Sequence, residues 1–419
     1  MSFQLQIESL AYGGAGVGRR EGRAVFVDGA APGDRLEVEL TRARTRPERA
    51  RLLSVLEAGA ARVEPRCPHY GDCGGCQWQH VTPEAQLEAK RRALEDALVR
   101  IGKIPRGELP PVRARGGPAW RYRRRARFAV AADGRLGFAA RGSRRIVPVG
   151  SCALLEPDLE ALALDLSGAL AAEPCLGLGH VELVATAGKG AAELQLDSGA
   201  SFDAACRRAA ALLAALPALA GVVVTQGSRT ATLGEPLLQD GEQLLGPHVF
   251  AQASREGNAL LRGAVLDALA LRDGERVLEL HCGSGNFTFA LARAGAQVVA
   301  VEAEAAALAL ARRALPSDLA ARVTFVEAAA AAALRDLGRS RAPFDAALLD
   351  PPRAGAKDEM ALLAPLGAHR IVYVSCDPAT LARDVGTLRA LGFRATQALA
   401  LDLFAQTYHL EAVVTLERA

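Results

Sequence analysis

What this chain lacks narrows its class before any motif is read. Among its 419 residues no apolar run reaches the ~18 needed to cross a bilayer as a helix, so no membrane partner is expected. Met1 to Leu10 has neither a basic n-region nor an apolar h-region, and a soluble, cytoplasmic protein is the expectation. Cysteine is too sparse for a disulfide scaffold. Eight thiols in a chain of this length, in a reducing compartment, point first to metal binding or catalysis. Nor is charge of one sign in large excess, the net being +3. Its distribution is uneven: residues 81–150 hold 17 Lys and Arg against 6 Asp and Glu. The rest of the chain is net acidic, and a polyanion-binding middle follows. With 50% of the residues hydrophobic, two or three domains can each bury a core.

What is present is organised around Ile371 to Asp384, IVYVSCDPATLARD. A short apolar run stopped by Asp377-Pro378 predicts a buried parallel strand ending at Cys376, with a helix opening over Thr380 to Asp384. Open α/β sheets bind ligands at the carboxyl ends of their strands. Cys376 therefore sits where chemistry is done, although a lone thiol there also reads as a buried packing residue. Upstream, Phe344 to Gly355 (FDAALLDPPRAG) is a second strand entering a polar loop, and 15 residues separate Gly355 from Ile371. The two motifs together resemble the signature of the SAM-dependent RNA uracil-C5 methyltransferases, DPPRxG followed by YxSCNPxT, with Asp377 where that family has asparagine. The resemblance implies a nucleophilic Cys376. The exchange at Asp377 is expected to bear on how the edge of the target base is held.

Three regions are expected, 1–58, 59–246 and 247–419. The first reads as short strands (Phe3 to Ile7, Ala24 to Val27, Arg35 to Leu40, a last one to Leu56), with a glycine-rich turn at Gly13, Gly14, Gly16 and Gly18. Arg42, Arg44, Arg46, Arg49 and Arg51 lie around the last strand. Such a pattern suggests a small barrel. It resembles the TRAM domain, an OB-like RNA-binding barrel, whose contacts would be mainly to phosphates.

In the middle region, Cys67, Cys73 and Cys76 are spaced C-x5-C-x2-C in a glycine-rich loop. That spacing suits metal or cluster ligands and differs from the C-x3-C-x2-C of radical-SAM enzymes. Cys152, after a predicted strand, is the candidate fourth ligand. The resemblance supports that choice and implies a 4Fe-4S cluster that shapes the fold. Zinc on the same ligands is the alternative, and His69 or His80 could replace a thiol. Thr82 to Ile101 predicts a capped helix with a stripe of Leu87, Leu94 and Leu98. Arg113, Arg115 and the run Trp120 to Arg127 then place seven arginines in 15 residues without an acid. On a strand, Arg121, Arg123 and Arg125 share one face and Tyr122 and Arg124 the other. That arrangement suits backbone neutralisation and stacking on unpaired RNA bases, or else a solvated charged edge. Residues 153–246 alternate alanine-rich helices with strands and complete a central α+β domain, with Cys175 and Cys206 as packing residues.

From Pro247 strand and helix alternate. Arg276 to Phe287 (RVLELHCGSGNF) is a strand running into a glycine loop, and Gly283 and Gly285 let a ligand approach the backbone. Glu302, after the strand Gln297 to Val301, is placed to hold ribose hydroxyls, and loop and acid together point to SAM. The resemblance adds Gln252 (in Phe250-Ala-Gln252), His281, Asn286 and Asp350 as cofactor contacts. It leaves Glu327 to substitute for an adenine-side contact that Ala328 to Ala333 do not offer. Asp402 to Glu411 (DLFAQTYHLE) resembles the family's DxFPQTxHxE, with Ala405 for proline, and implies that Glu411 is the base.

The expected fold is multidomain: an OB-like β-barrel, a central α+β domain with a cluster loop, and a C-terminal Rossmann-like class I methyltransferase. The expected enzyme is a monomer that methylates uracil C5 in RNA, preferably large-subunit rRNA and alternatively tRNA. Uracil C5 is too weak a nucleophile unaided. The Cys376 thiolate would add at C6, the resulting enolate would take the sulfonium methyl, and Glu411 would remove the C5 proton. Cytosine-C5 enzymes usually carry their cysteine in a Pro-Cys or Thr-Cys context, unlike Ser375-Cys376-Asp377. An RNA-binding module without activity is the third reading.

Overall fold

Alternating apolar residues close the N-terminal segment into a barrel of five strands in the order β1-β2-β3-β5-β4. These are β1 (Ser2–Leu10), β2 (Gly16–Arg20), β3 (Arg23–Val27), β4 (Arg35–Leu40) and β5 (Glu48–Glu57). Leu5, Ile7, Val25, Val27, Leu36 and Val38 point inward and form its core. Gly16 and Gly18 lie in β2 and not in the turn expected from the sequence. A Cβ on Gly18 would stand 2.3 Å from the Gln6 carbonyl, so closing so small a barrel requires glycine there. The computed structural model describes residues 2–41, 47–340 and 343–419, and Arg42, Arg44 and Arg46 lie outside the described residues.

Helix α1 (Pro83–Arg100) follows, capped by Thr82 as its sequence predicts. After β6 (Val112–Gly116) comes a seven-stranded sheet in the order β13-β12-β11-β10-β7-β8-β9. Its strands are β7 (Arg125–Val130), β8 (Leu136–Ala139), β9 (Ile146–Pro148), β10 (Leu178–Thr186), β11 (Lys189–Leu196), β12 (Leu219–Gln226) and β13 (Arg229–Gly234). Helices α2 (Pro157–Ala172) and α3 (Phe202–Ala215) bury leucine and alanine stripes on this sheet. Cys175 and Cys206 pack at the edge of that core.

A short hairpin, β14 (Leu238–Asp240) and β15 (Gln243–Leu245), leads into the last layer. Its elements are α4 (Arg255–Leu269), β16 (Arg276–Leu280), α5 (Thr288–Arg293), β17 (Gln297–Glu302), α6 (Ala305–Ala314), β18 (Val323–Glu327) and α7 (Ala330–Ser340). They continue through β19 (Ala346–Leu349), α8 (Met360–Leu363), β20 (Arg370–Ser375), α9 (Pro378–Ala390), β21 (Phe393–Asp402) and β22 (Glu411–Arg418). The sheet order is β18-β17-β16-β19-β20-β22-β21-β6. Five parallel strands carry their carboxyl ends to one rim. The inner strands β16, β19 and β20, buried on both faces, are largely apolar, whereas β18 is the more exposed edge. Strand β6, far upstream in sequence, pairs in parallel with β21 as the eighth strand. Among the described residues, no helix is long and apolar enough to cross a membrane.

The arginine run departs from its expected form. Arg121 adopts φ +53°, and regular strand begins only at Arg125. Tyr122 and Arg124 are buried. The Arg124 guanidinium pairs with Asp240 and donates to the Gln252 carbonyl at 3.2 Å. Arg125 donates to Glu182 at 2.5 Å and to the Pro247 carbonyl at 2.9 Å. Arg121 pairs with Glu160. A buried guanidinium must find acids or carbonyls, and Arg124 and Arg125 fasten the central sheet to residues 240–253, while the Tyr122 hydroxyl donates to the Ala405 carbonyl at 3.0 Å. Arg113 and Arg115 stay exposed on β6.

Candidate active site

Strand pairing brings the thiol and the C-terminal acid together. In the antiparallel pair β20–β22, Ser375 lies opposite Ala412, so the next step outward sets Cys376 across from Glu411. Strand β20 ends at Ser375, one residue earlier than expected, and α9 begins at Pro378. Asp377 Oδ1 accepts the amides of Ala379 and Thr380, both at 2.9 Å. Its carboxylate thus caps α9, a task asparagine performs as well.

The preceding loop is clamped onto the same helix. The Asp384 Oδ2 accepts the Tyr373 hydroxyl at 2.7 Å and the Ala356 amide at 2.8 Å, and Asp384 is fully buried. Thr380 Oγ1 donates to the Arg353 carbonyl at 3.1 Å. Gly355, at φ +76°, runs so close beneath α9 that a Cβ would lie 2.6 Å from Asp384 Oδ2. The clamp sets Asp350 and Arg353 against Cys376. Burial pushes the Cys376 thiol up, the Glu411 and Asp350 charges push it further, and the Arg353 guanidinium pulls it back. Burial, then the Asp350 charge, raise Glu411 well above the usual carboxylate range. Burial likewise raises Asp350. Two carboxyls and a thiol that each resist ionisation thus share one buried site, and Asp350, pushed up to about 7, can exchange its proton near neutrality.

The glycine loop opens beside this group. Glu302 Oε2 accepts the Gly283 amide at 2.9 Å, tying the ends of β16 and β17, while its Oε1 accepts Ala303 and Glu304 at 2.8 Å. His281 sits at φ +61°, and its buried Nε2 has no partner among the described residues. A strained residue with an orphaned nitrogen at a strand end is the mark of a ligand contact. A Cβ added at Gly283 would meet nothing within 4 Å, so the loop has room for a bound molecule. These features fit SAM. Asn286 is engaged elsewhere, exchanging hydrogen bonds with Asn258 at 2.8 and 3.0 Å and accepting from Gln243 at 2.9 Å, so its side chain anchors the loop. Gln252 is buried, next to the segment that Arg124 holds. Glu327 is exposed, with Arg312 at 3.8 Å.

The C-terminal motif loop is held from outside its own sheet. Lys90 of α1 donates to Asp402 at 2.5 Å and to the Phe404 carbonyl at 3.2 Å, and both charged side chains are buried. Gln406 is at φ +70°; its amide donates to Gln86 Oε1 at 2.8 Å, and its carbonyl accepts the amides of Gln77 and Trp78 at 3.0 and 2.9 Å.

Cys67, Cys73, Cys76 and Cys152 line one cavity of about 290 Å³ together with Tyr70 and Phe138. Burial raises Cys73 and Cys152 and pushes Cys76 up to about 12, and the Cys67 charge adds to each shift. Four convergent sulfurs are the donor set of a thiophilic centre. Among the described residues, no three His, Cys, Asp or Glu side chains are set to hold a single metal ion. His80 turns away, its Nδ1 2.5 Å from the Tyr70 hydroxyl.

Residues 247–419 match the family model described as tRNA (Uracil-5-)-methyltransferase, and residues 3–53 match the TRAM domain. A 23S rRNA (uracil(1939)-C(5))-methyltransferase of Chromohalobacter salexigens is 38% identical, covering 99% of this chain and 89% of its own. The chain belongs to the TRAM-bearing RNA uracil-C5 methyltransferases. Another relative of this kind, from Edwardsiella ictaluri, is 37% identical over 97% of this chain and 93% of its own. The fold of these methyltransferases is also that of the crystal structure of Pyrococcus abyssi tRNA (uracil-54, C5)-methyltransferase in complex with S-adenosyl-L-homocysteine. That match has a TM-score of 0.74 at 23% identity and covers 99% and 100% of the two chains. Within this methyltransferase, sequence reasoning missed Arg353 as a partner of the thiol. It also missed Lys90 and Gln86 as supports of the motif loop, and Glu279. Glu279 is buried, is pushed up to about 8 by burial, and accepts Thr288 Oγ1 at 2.6 Å. An acid inside an apolar strand was the signal available for Glu279.

Proposed function

We propose that this enzyme methylates C5 of a uracil in 23S rRNA, using SAM, through a covalent bond between Cys376 and C6. The observation that carries the reading is the convergence of Cys376, Glu411, Asp350 and Arg353 beside an open glycine loop. SAM supplies an electrophilic sulfonium methyl group when bound. His281, Glu302 and Gln252 would hold it, with Asn286 keeping the loop in shape and Asp350 at the next strand end. Arg353 favours the Cys376 thiolate, which adds to C6 and makes C5 nucleophilic. After C5 is methylated, Glu411 takes the C5 proton, the C6–sulfur bond breaks and the thiolate is regenerated. The target must leave its stack, at about a few kcal/mol. The barrel (1–58) and the middle region (59–246) offset that cost with phosphate contacts, and the unit 247–419 does the chemistry as part of a monomer. Cys67, Cys73, Cys76 and Cys152 hold a 4Fe-4S cluster that shapes the middle region. The 23S target is preferred to tRNA because relatives with that printed activity match almost the whole chain at 33–38% identity.

The test is anaerobic incubation with methyl-labelled SAM and RNA from cells lacking the gene, followed by nucleoside mapping, with Cys376→Ala alongside. Label in 5-methyluridine of 23S rRNA, absent with the variant, is expected. Label in tRNA replaces the target, and label in cytosine refutes the uracil reading. Iron and sulfide analysis tests the cluster: both are expected to fall when Cys76 or Cys152 becomes serine, and stoichiometric zinc without sulfide refutes it.

A further inference from the structure

The tip of the barrel reaches the catalytic mouth. The turn joining β1 and β2 closes through Ala11–Ala15 and Gly14–Ala11 backbone bonds of 2.8 and 3.0 Å. It is pinned by the buried Trp78, whose indole donates to the Gly14 carbonyl at 2.9 Å. This rigid turn presents Tyr12, 40% exposed. The Tyr12 ring meets Tyr408 edge to face, with centroids 5.5 Å apart, and Tyr408 lies 4.3 Å from the His409 ring. Tyr408 in turn packs against the Trp78 cluster beneath this turn. One exposed tyrosine would mean nothing. Here three rings from two distant segments form one surface, two residues from Glu411 in the chain.

The charges of the active-site loop act on it. The Tyr12 phenol is raised by burial, then by the Asp377 and Cys376 charges, and Arg353 acts in the opposite sense. Tyr12 therefore stays neutral and takes no part in proton transfer. His409, lowered to about 4 by burial and by neighbouring cations, is neutral too. A neutral aromatic surface without a committed proton suits stacking. The target uracil is not its ligand, because C6 must lie on Cys376 and C5 must face Glu411, which is only 4% exposed. The base next to it is left without its stacking partner when the target swings out.

We propose that Tyr12, with Tyr408 and His409, forms a stacking surface for the base flanking the extruded uridine. The barrel then acts as part of the active site as well as a phosphate-binding appendage. This rests on the uracil-methylation reading.

The test uses the full-length protein and a synthetic 23S rRNA stem-loop carrying the target uridine, with 2-aminopurine placed on either side of it in turn. Wild type is expected to quench the probe at one flank, and Tyr12→Leu to abolish that quenching. Tyr12→Leu is expected to weaken RNA binding about tenfold, as for loss of one base–aromatic stack, with the KM for SAM within about twofold of wild type. Tyr12→Phe, which keeps the ring, is expected to restore the quenching, and melting curves report whether each variant folds. If wild type methylates the uridine and Tyr12→Leu matches it in affinity and quenching, the stacking surface is refuted alone. If wild type transfers no methyl to uracil in any RNA, both readings fall.

Discussion

Replacing Lys90 with methionine tests how the loop before Glu411 is held. Lys90 reaches from α1 to Asp402 at 2.5 Å and the Phe404 carbonyl at 3.2 Å, inside the protein. Burial pushes the Lys90 ammonium down while Asp402 holds it up, so much of the ion pair's attraction is spent on desolvation. The larger effect comes from the partner left behind. Methionine fills a similar volume but strands a 6% exposed Asp402, which among the described residues keeps only the Phe404 amide at 3.2 Å. Removing one member of a buried pair costs about 3–5 kcal/mol. A chain of several units has no single unfolding free energy, so the reading belongs to local opening. Native-state hydrogen exchange of the Gln406, Thr407 and His409 amides is expected to quicken by roughly a hundredfold or more, at tenfold per 1.4 kcal/mol. Methyl transfer should fall with it, because these residues lead into Glu411. Adding Asp402→Leu to Lys90→Met replaces the pair by apolar contact and should recover most of the protection. Exchange within about threefold of wild type in the single variant would refute the reasoning, since a stranded buried carboxylate costs far more than that.

The remaining predictions concern the thiol, the base and the barrel. Positive charge favours thiolate, so Arg353→Ala moves the Cys376 titration upward and slows iodoacetamide alkylation at about pH 8. Glu411→Gln removes a charge that raises the thiol, moves the titration downward and speeds alkylation. Rates changing in the opposite senses would overturn this electrostatic assignment. The proposed role of Glu411 in taking the C5 proton predicts that Glu411→Gln traps RNA on Cys376 as an adduct that survives a denaturing gel, and free RNA there would remove Glu411 from that role. Gly18→Ala sets a methyl 2.3 Å from the Gln6 carbonyl. It should destabilise the barrel by about 1–3 kcal/mol, read as faster exchange in β1 and β2 with little change in the C-terminal sheet.

Local signals in this chain are carried by periodicity, caps and breakers. The helix over Pro83–Arg100 was legible because Thr82, Pro83 and a leucine stripe agree, and the parallel strands because they are short apolar runs ending in polar loops. Strand ends in turn made Cys376 and Glu302 legible as site candidates, and the family motif added Asp350. The arginine run misled for the opposite reason. Alternation with aromatics is the same in a solvated strand and in a junction, and only Asp240, Glu182 and Glu160 reveal the junction. Asp377 likewise stood out as a departure from a motif, while its task, capping α9, depends on where the strand stops.

By itself, then, the sequence determined the order of elements, the buried faces and the residue types available for thiol chemistry, because each of these follows from neighbours within a few positions. The tertiary structure decided which of those residues meet. Cys376 faces Glu411 through the register of β20 and β22, and Lys90 finds Asp402 across 312 positions. Strand β6 joins a sheet whose other strands begin at Arg276, and Tyr12 comes to the mouth on a barrel that has its own core. Such pairings are selected by what must be buried together and by which charges must be matched once water is excluded. A local stretch of sequence records that a partner is required, and the packed chain supplies its identity.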